Sequence, residues 1–161
     1  MASWNDVEHH APDLAAFVRS RIEVHGLALL ATLRADGWPR LSGIEPFFGD
    51  GELWLGMMPG SRKAADLRRD PRLALHNATV DKAVTGGDVK ITGNAVEVTD
   101  PADHDRARRI LEERTGEAPP PGPMTLFAVD VLELAAIRPV VDHLEIQSWR
   151  PGEAVRTVDR Y

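Results

Sequence analysis

The 161-residue chain contains no cysteine, which removes disulfides, thiolate catalysis and cysteine metal sites together and fits a reducing compartment. It has no apolar run near the roughly 18 residues that cross a bilayer as a helix. Its opening, Met1-Ala2-Ser3-Trp4-Asn5-Asp6, lacks the basic and apolar regions of a secretory leader. The expectation is a cytoplasmic protein with no membrane contact. Positive charge is not in excess: 19 Lys and Arg face 25 Asp and Glu, for a formal net charge of −6. General nucleic-acid binding needs a basic face that displaces counterions, so no nucleic-acid partner is expected. There is no internal repeat and no low-complexity tail. What remains is 43% hydrophobic and 27% charged, the composition of one ordinary globular domain spanning 1–161.

Leu14, Phe17, Val18, Arg21 and Ile22 recur at helical spacing after Pro12-Asp13, and Gly26 stops the pattern. Residues 1–26 are therefore read as a polar lead-in and one amphipathic helix. Residues 27–99 form the first part of a β structure. Leu27 to Leu33 is an apolar strand, turned by Ala35-Asp36-Gly37 into a strand from Trp38 to Phe48. Gly49-Asp50-Gly51 turns again into Glu52 to Met58, since Asp-Gly between apolar runs signals a hairpin. Further strands are expected at Arg72 to Asn77 and, alternating, at Asp88 to Val98. Residues 100–123 hold a helix opened by Asp100-Pro101 and a stiff connection around Pro119-Pro120-Pro121. Residues 124–161 supply the last strands, including a hairpin from His143 to Trp149 and Ala154 to Val158 around Pro151-Gly152. About eight strands, two full helices and one short one predict a mainly β fold, a closed antiparallel barrel with peripheral helices.

The short helix is the most informative segment. In Gly60-Ser61-Arg62-Lys63-Ala64-Ala65-Asp66-Leu67-Arg68-Arg69-Asp70-Pro71-Arg72, Ser61 is an N-cap and Pro71 ends the turns that follow. A helix opened by Ser-Arg-Lys brings unpaired backbone N–H groups, a hydroxyl and two cations to one point, which suits a phosphate monoester. The alternative is a solvated basic helix that merely joins two strands.

The order of elements, together with Gly60-Ser61-Arg62-Lys63-Ala64 and Asp70-Pro71-Arg72, resembles the pyridoxamine 5′-phosphate oxidase-like split barrels over roughly residues 14 to 160. Flavin and deazaflavin (F420) oxidoreductases share that plan. The resemblance implies a homodimer with cofactor clefts at the subunit interface and a small-molecule substrate. It also implies that Arg62 and Lys63, beside Ser61, hold the phosphate of FMN or, alternatively, F420. Leu41, Ser42 and Gly43 match the strand beside the flavin-type ring, where Gly43 lets the backbone approach a flat group; a bulge in a curved strand is the other reading of Gly43. Leu55, Gly56 and Met57 match its neighbour. Trp149, Arg150, Arg156 and Arg160 lie on a C-terminal hairpin that either reaches the cofactor of a partner or packs the barrel end and faces solvent.

The departures matter too. True pyridoxamine phosphate oxidases carry an arginine where this chain has Ser42, and a Trp and Arg-x-His loop near the position of Ile137, Asp142 and His143. Here Pro139-Val140-Val141 fills a shorter loop, so oxidation of a phosphorylated B6 vitamer is not the expected reaction. No catalytic residue is assigned, since in such a family the hydride chemistry belongs to the cofactor. Asp103-His104-Asp105 reads as a helix first turn and not a metal site. His9-His10 falls in the lead-in, and His76 reads as a hydrogen-bonded structural histidine. Arg68, Arg69 and Arg72 are candidates for a groove that takes the oligoglutamate tail of F420. FMN is favoured by the Gly-Ser-Arg-Lys-Ala form of the motif. The expected function is a flavin (FMN) or F420-dependent oxidoreductase. The alternatives are an FMN-binding general-stress-type sensor or carrier, and a cofactor-free barrel used for protein contacts.

Overall fold

The computed structural model describes residues 1–119 and 121–161; the middle proline of the expected Pro119-Pro120-Pro121 connection lies outside the described residues. Among them run helices α1 (Trp4–His10), α2 (Pro12–Glu23), α3 (Arg62–Arg69) and α4 (Pro101–Thr115). The strands are β1 (Ala28–Leu33), β2 (Pro39–Ile44), β3 (Pro46–Gly49), β4 (Glu52–Met57), β5 (Arg72–Asn77), β6 (Asp88–Val98), β7 (Thr125–Pro139), β8 (Leu144–Trp149) and β9 (Arg156–Arg160).

All pairings are antiparallel. The strand order is β2-β1-β5-β6-β7-β4-β3, with β8 and β9 added beyond β7. The two ends of that path, β2 and β3, are separated in the chain only by Glu45. Among the described residues no ladder joins them, so the sheet is open where a closed barrel was expected, and only the covalent chain links its two ends. The split-barrel plan expected from the sequence is otherwise present, a mainly β structure with helices around an antiparallel sheet.

Local chemistry accounts for the turns. Asp50 and Gly51 both take positive φ (50° and 77°), which a two-residue turn between twisted strands requires. In β6 the register slips between Thr92 and Gly93, so that Leu132 of β7 is left over. A Cβ on Gly93 would stand 2.4 Å from the Asp130 carbonyl oxygen, so the bulge needs glycine there. The main buried cluster reaches from Ala2 to Trp149. A smaller one, with Phe47, Trp54, Ala107, Ile110 and Leu126, lies beneath α4.

Three further expectations are corrected. Two helices precede Gly26 where one was expected. Ser3 and Asp6 form a reciprocal capping box that opens α1, and the supposed lead-in buries Trp4 and Val7, with the Trp4 ring centroid 4.6 Å from that of Phe48. The run from Trp38 to Phe48 is two strands, because its halves pair with different partners, β1 and β4. The final strand starts at Arg156 and not Ala154. The described residues thus hold nine strands and four helices, one more of each than expected.

Candidate functional site

The site is built around α3. Ser61 takes an extended conformation and its Oγ accepts the Ala64 N–H at 3.4 Å, which caps the helix. Ala64 and Leu67 bury the apolar side of α3. Between them stands a carboxylate: the Asp66 side chain is only 5% exposed. It is met by the Thr32 hydroxyl of β1 at 2.9 Å, the Arg40 Nε of β2 at 2.6 Å and the Arg69 guanidinium at 3.1 Å. Burial pushes its pKa up, but hydrogen bonds from Arg40, Arg69 and Thr32 together hold it below the ordinary carboxylate value. Arg69 also donates to the Leu33 carbonyl. The underside of α3 is thereby stitched to the β1–β2 hairpin.

A cleft of about 520 Å³ opens beside the start of α3, within the range of about 300–1,000 Å³ usual for small-molecule sites. One wall is the bend from β2 to β3 at Gly43, Ile44 and Glu45. Another is the end of β4 at Gly56 and Met57, continued by Met58 and Pro59. Ser61 and Lys63 contribute from α3, and Arg108, Leu111 and Met124 from α4 and the start of β7. The Lys63 Nζ donates to the Gly43 carbonyl at 2.9 Å, which pins an ammonium at the wall of the cleft. Gly43 is glycine for no reason internal to the chain: its φ is not positive, and a Cβ would meet only Leu27 Cδ1 at an ordinary 3.8 Å. The missing side chain leaves bare backbone facing the cleft, which suits a flat group laid against it. Gly56 is different, because a Cβ there would press on Met124 Sδ at 3.2 Å.

The electrostatics at the start of α3 favour an anion. Arg62 and Lys63 occupy its first turn, and no acidic residue joins them there. Helix N-termini carry partial positive charge and N–H groups with no partner inside the helix, so two cations at that end are mutually unfavourable until an anion arrives. The other arginines of the segment are already paired. Arg68 makes a bidentate contact with Glu97, Arg69 meets Asp66, and Arg72 meets Asp70 at 2.6 Å. The Arg72 guanidinium holds the Asp70 carboxyl down to about 2. The basic groove considered for Arg68, Arg69 and Arg72 is therefore compensated by carboxylates of the same chain.

The structure brings Ser61, Lys63, Gly43 and Met57 together in one cleft. Arg62 adjoins them on the same helix turn but is exposed and lines no part of the cleft. Leu41 is 68% exposed on the outer face of β2, opposite Ala31, whereas Ser42 pairs with Leu30 on the inner face. Trp149 stands apart: it is buried, and its ring stacks with that of His10 at 6.5 Å. Leu55 belongs to the core. His76 Nδ1 lies 2.7 Å from the Asn77 carbonyl, and His104 Nε2 lies 2.8 Å from that of Val98. Among the described residues no group of His, Asp and Glu could hold a metal. Arg150 pairs with Glu133, and His143 contacts Asp142 and Asp159. Sequence reasoning missed Glu45, Arg108, Leu111 and Met124. Glu45 interrupts what reads as one strand, and α4 joins the cleft only through the tertiary fold.

Comparison with known proteins places this architecture. The family described as pyridoxamine 5′-phosphate oxidase matches residues 14–138. No curated protein matches the chain. Among solved structures, a conserved hypothetical protein from Mycobacterium tuberculosis is 26% identical, with a TM-score of 0.64 over 78% of this chain and 82% of that one. PhzG from Burkholderia lata, in complex with tetrahydrophenazine-1-carboxylic acid, is 16% identical, with a TM-score of 0.64 over 97% and 94%. A heme binding protein from Mycobacterium smegmatis is 15% identical, with a TM-score of 0.61 over 84% of this chain and 57% of that one. The last two share the fold alone.

The buried carboxylate generates a prediction about stability. Asp66→Ala strands Arg40 and Thr32 and is expected to cost about 3–5 kcal/mol in urea unfolding near neutral pH. Because the native pKa of Asp66 lies below its unfolded value, the contribution is complete above the ordinary carboxylate range and fades as pH falls through the lowered native value. The gap between wild type and variant should shrink on acidification; a gap that is small at neutrality, or that widens in acid, contradicts this.

Proposed function

The chain belongs to the pyridoxamine 5′-phosphate oxidase family, and on that footing we propose that it is a flavin-dependent oxidoreductase that holds FMN in the cleft beside α3 and acts on a small organic substrate. The observation that carries this reading is the Lys63 ammonium set against the Gly43 carbonyl at 2.9 Å, where a cation, a helix N-terminus and a bare strand backbone converge on one cleft. The phosphate would be held by Lys63, Ser61 and the first-turn amides of α3, with Arg62 adding charge from outside. The ring would lie along Gly43 toward Met57, with Leu27, Ile44 and Phe47 excluding water. When bound, FMN supplies the hydride exchange; the protein supplies binding, orientation and a dry wall.

FMN is favoured over F420 by the pairing of Arg68, Arg69 and Arg72 with Glu97, Asp66 and Asp70, which leaves them little charge to offer an oligoglutamate tail. Oxidation of a phosphorylated B6 vitamer is not the proposed reaction: Ile137 is committed to its ladder with Ile146, and His143 is engaged by Asp142 and Asp159.

The working unit is proposed to be a homodimer. Leu29, Leu41 and Ala31 share the outer face of β1–β2 with Gly43. Leu29, Leu41 and the adjoining Leu27 are all exposed. Leu27 and Gly43 also line the cleft, so an apolar face runs directly into its mouth. A second copy seated there would place the cofactor cleft at the subunit interface.

Two measurements test these statements. Titration of FMN into apo-protein, followed by flavin fluorescence, should give saturable binding tighter than that of F420. Lys63→Ala should weaken FMN by about 10–100-fold, the worth of one charged hydrogen bond; equal affinity of mutant and wild type removes the phosphate assignment. Light scattering should report a dimer for the native chain and a monomer for Leu41→Glu, and a native monomer contradicts the interface.

A further inference from the structure

We infer that Asp66 is a positioning residue for the cofactor site, fixing the rotation and register of α3 that bring Lys63 to the cleft wall at Gly43. The inference rests on the reading of that cleft as the place where an anionic cofactor tail is held.

Lys63 and Asp66 are three residues apart on α3 and therefore share a face. Their partners, Gly43 and Arg40, are three residues apart on β2. Two bonds result: Lys63 Nζ to the Gly43 carbonyl at 2.9 Å, and Arg40 Nε to Asp66 Oδ2 at 2.6 Å. Helix and strand are thus tied at two points, with the helix running against the strand. Thr32 adds a third tie, from β1.

Apolar packing alone would hold α3 in place, since Ala64 and Leu67 are already buried beside Asp66. It would not select a rotation, because contacts between aliphatic groups are non-directional. A carboxylate is directional, and burying one is costly unless every partner is in position. Sliding or rolling α3 would strand Asp66, so the helix is confined to the arrangement that also delivers Lys63. Asp66 has a second effect on the charge pattern. By pairing with Arg40 and Arg69 it occupies the cations beneath the helix and leaves Arg62 and Lys63, at its start, for the incoming anion.

The test is a double-mutant cycle on FMN affinity in the full chain, with a cofactor-independent reading beside it. Asp66→Asn is expected to weaken FMN about tenfold when Lys63 is present and by less than about twofold in the Lys63→Ala background. A loss of equal size in both backgrounds, or no loss in either, overturns the inference. Thr32→Val, which removes a single donor, should show the same pattern at smaller size and serves if Asp66→Asn does not fold. The second reading is the rate at which Lys63 is acylated by acetic anhydride, relative to the exposed Lys82 and Lys90, followed by peptide mass spectrometry. Release of Lys63 from Gly43 should raise that ratio severalfold in Asp66→Asn or Thr32→Val; an unchanged ratio overturns the inference. Should FMN fail to bind the wild-type chain, the cofactor reading falls, and the labelling ratio alone decides whether Asp66 places Lys63.

Discussion

A carboxylate with almost no access to water must have its partners in fixed positions, and in this protein that constraint is Asp66. Three donors from three elements converge on it: Thr32 of β1, Arg40 of β2 and Arg69 of α3. The crossing of α3 over the first hairpin follows from that convergence, and the placement of Ser61 and Lys63 follows from the crossing. Directional electrostatics set the geometry here, while hydrophobic burial through Ala64 and Leu67 supplies the bulk adhesion.

The barrel contributes the other half of the site. One residue, Glu45, separates two strands that end up at opposite ends of the sheet path. The bend between them exposes backbone at Gly43, and the curl of the sheet brings the end of β4 alongside. Because α4 and the start of β7 close over this bend, the cleft has walls from residues as far apart as Leu27 and Met124. Its cationic end is the start of α3 and its apolar flank continues onto the outer face of β1–β2. A ligand with an anionic tail and a flat apolar body matches that division of chemistry.

Much of this was legible in the residues, and the reasons differ by element. The hairpin turns announced themselves through Asp36-Gly37 and Asp50-Gly51, because Gly37, Asp50 and Gly51 are of the few residue types that tolerate the positive φ such turns need. The caps at Ser61 and Asp100 were legible for the same local reason: each side chain accepts an N–H of its own first turn. Lys63 and Gly43 could be nominated from motif and resemblance, although their hydrogen bond could not. Less local facts stayed hidden. The helix α1 is only seven residues long and too short to show periodicity, so its capping box was the sole cue. Glu45 looks like any polar residue in an alternating strand, since the change of pairing partner is a property of the whole sheet. The pairing of Arg68 with Glu97, far away on β6, compensates one cation of an apparent basic groove, and no spacing rule reveals it. Arg108 and Leu111 reach the cleft only once α4 has packed onto the sheet, and Met124 only once the chain has returned to start β7.

The central claim is that the start of α3 holds the anionic tail of a flat redox cofactor. A crystal structure of the protein with FMN addresses it most directly. The expected result places the phosphate within about 3 Å of the Lys63 Nζ and the first-turn amides of α3, with the ring against Gly43. Well-ordered FMN whose phosphate lies elsewhere, with Lys63 still bonded to the Gly43 carbonyl and facing solvent, would contradict it.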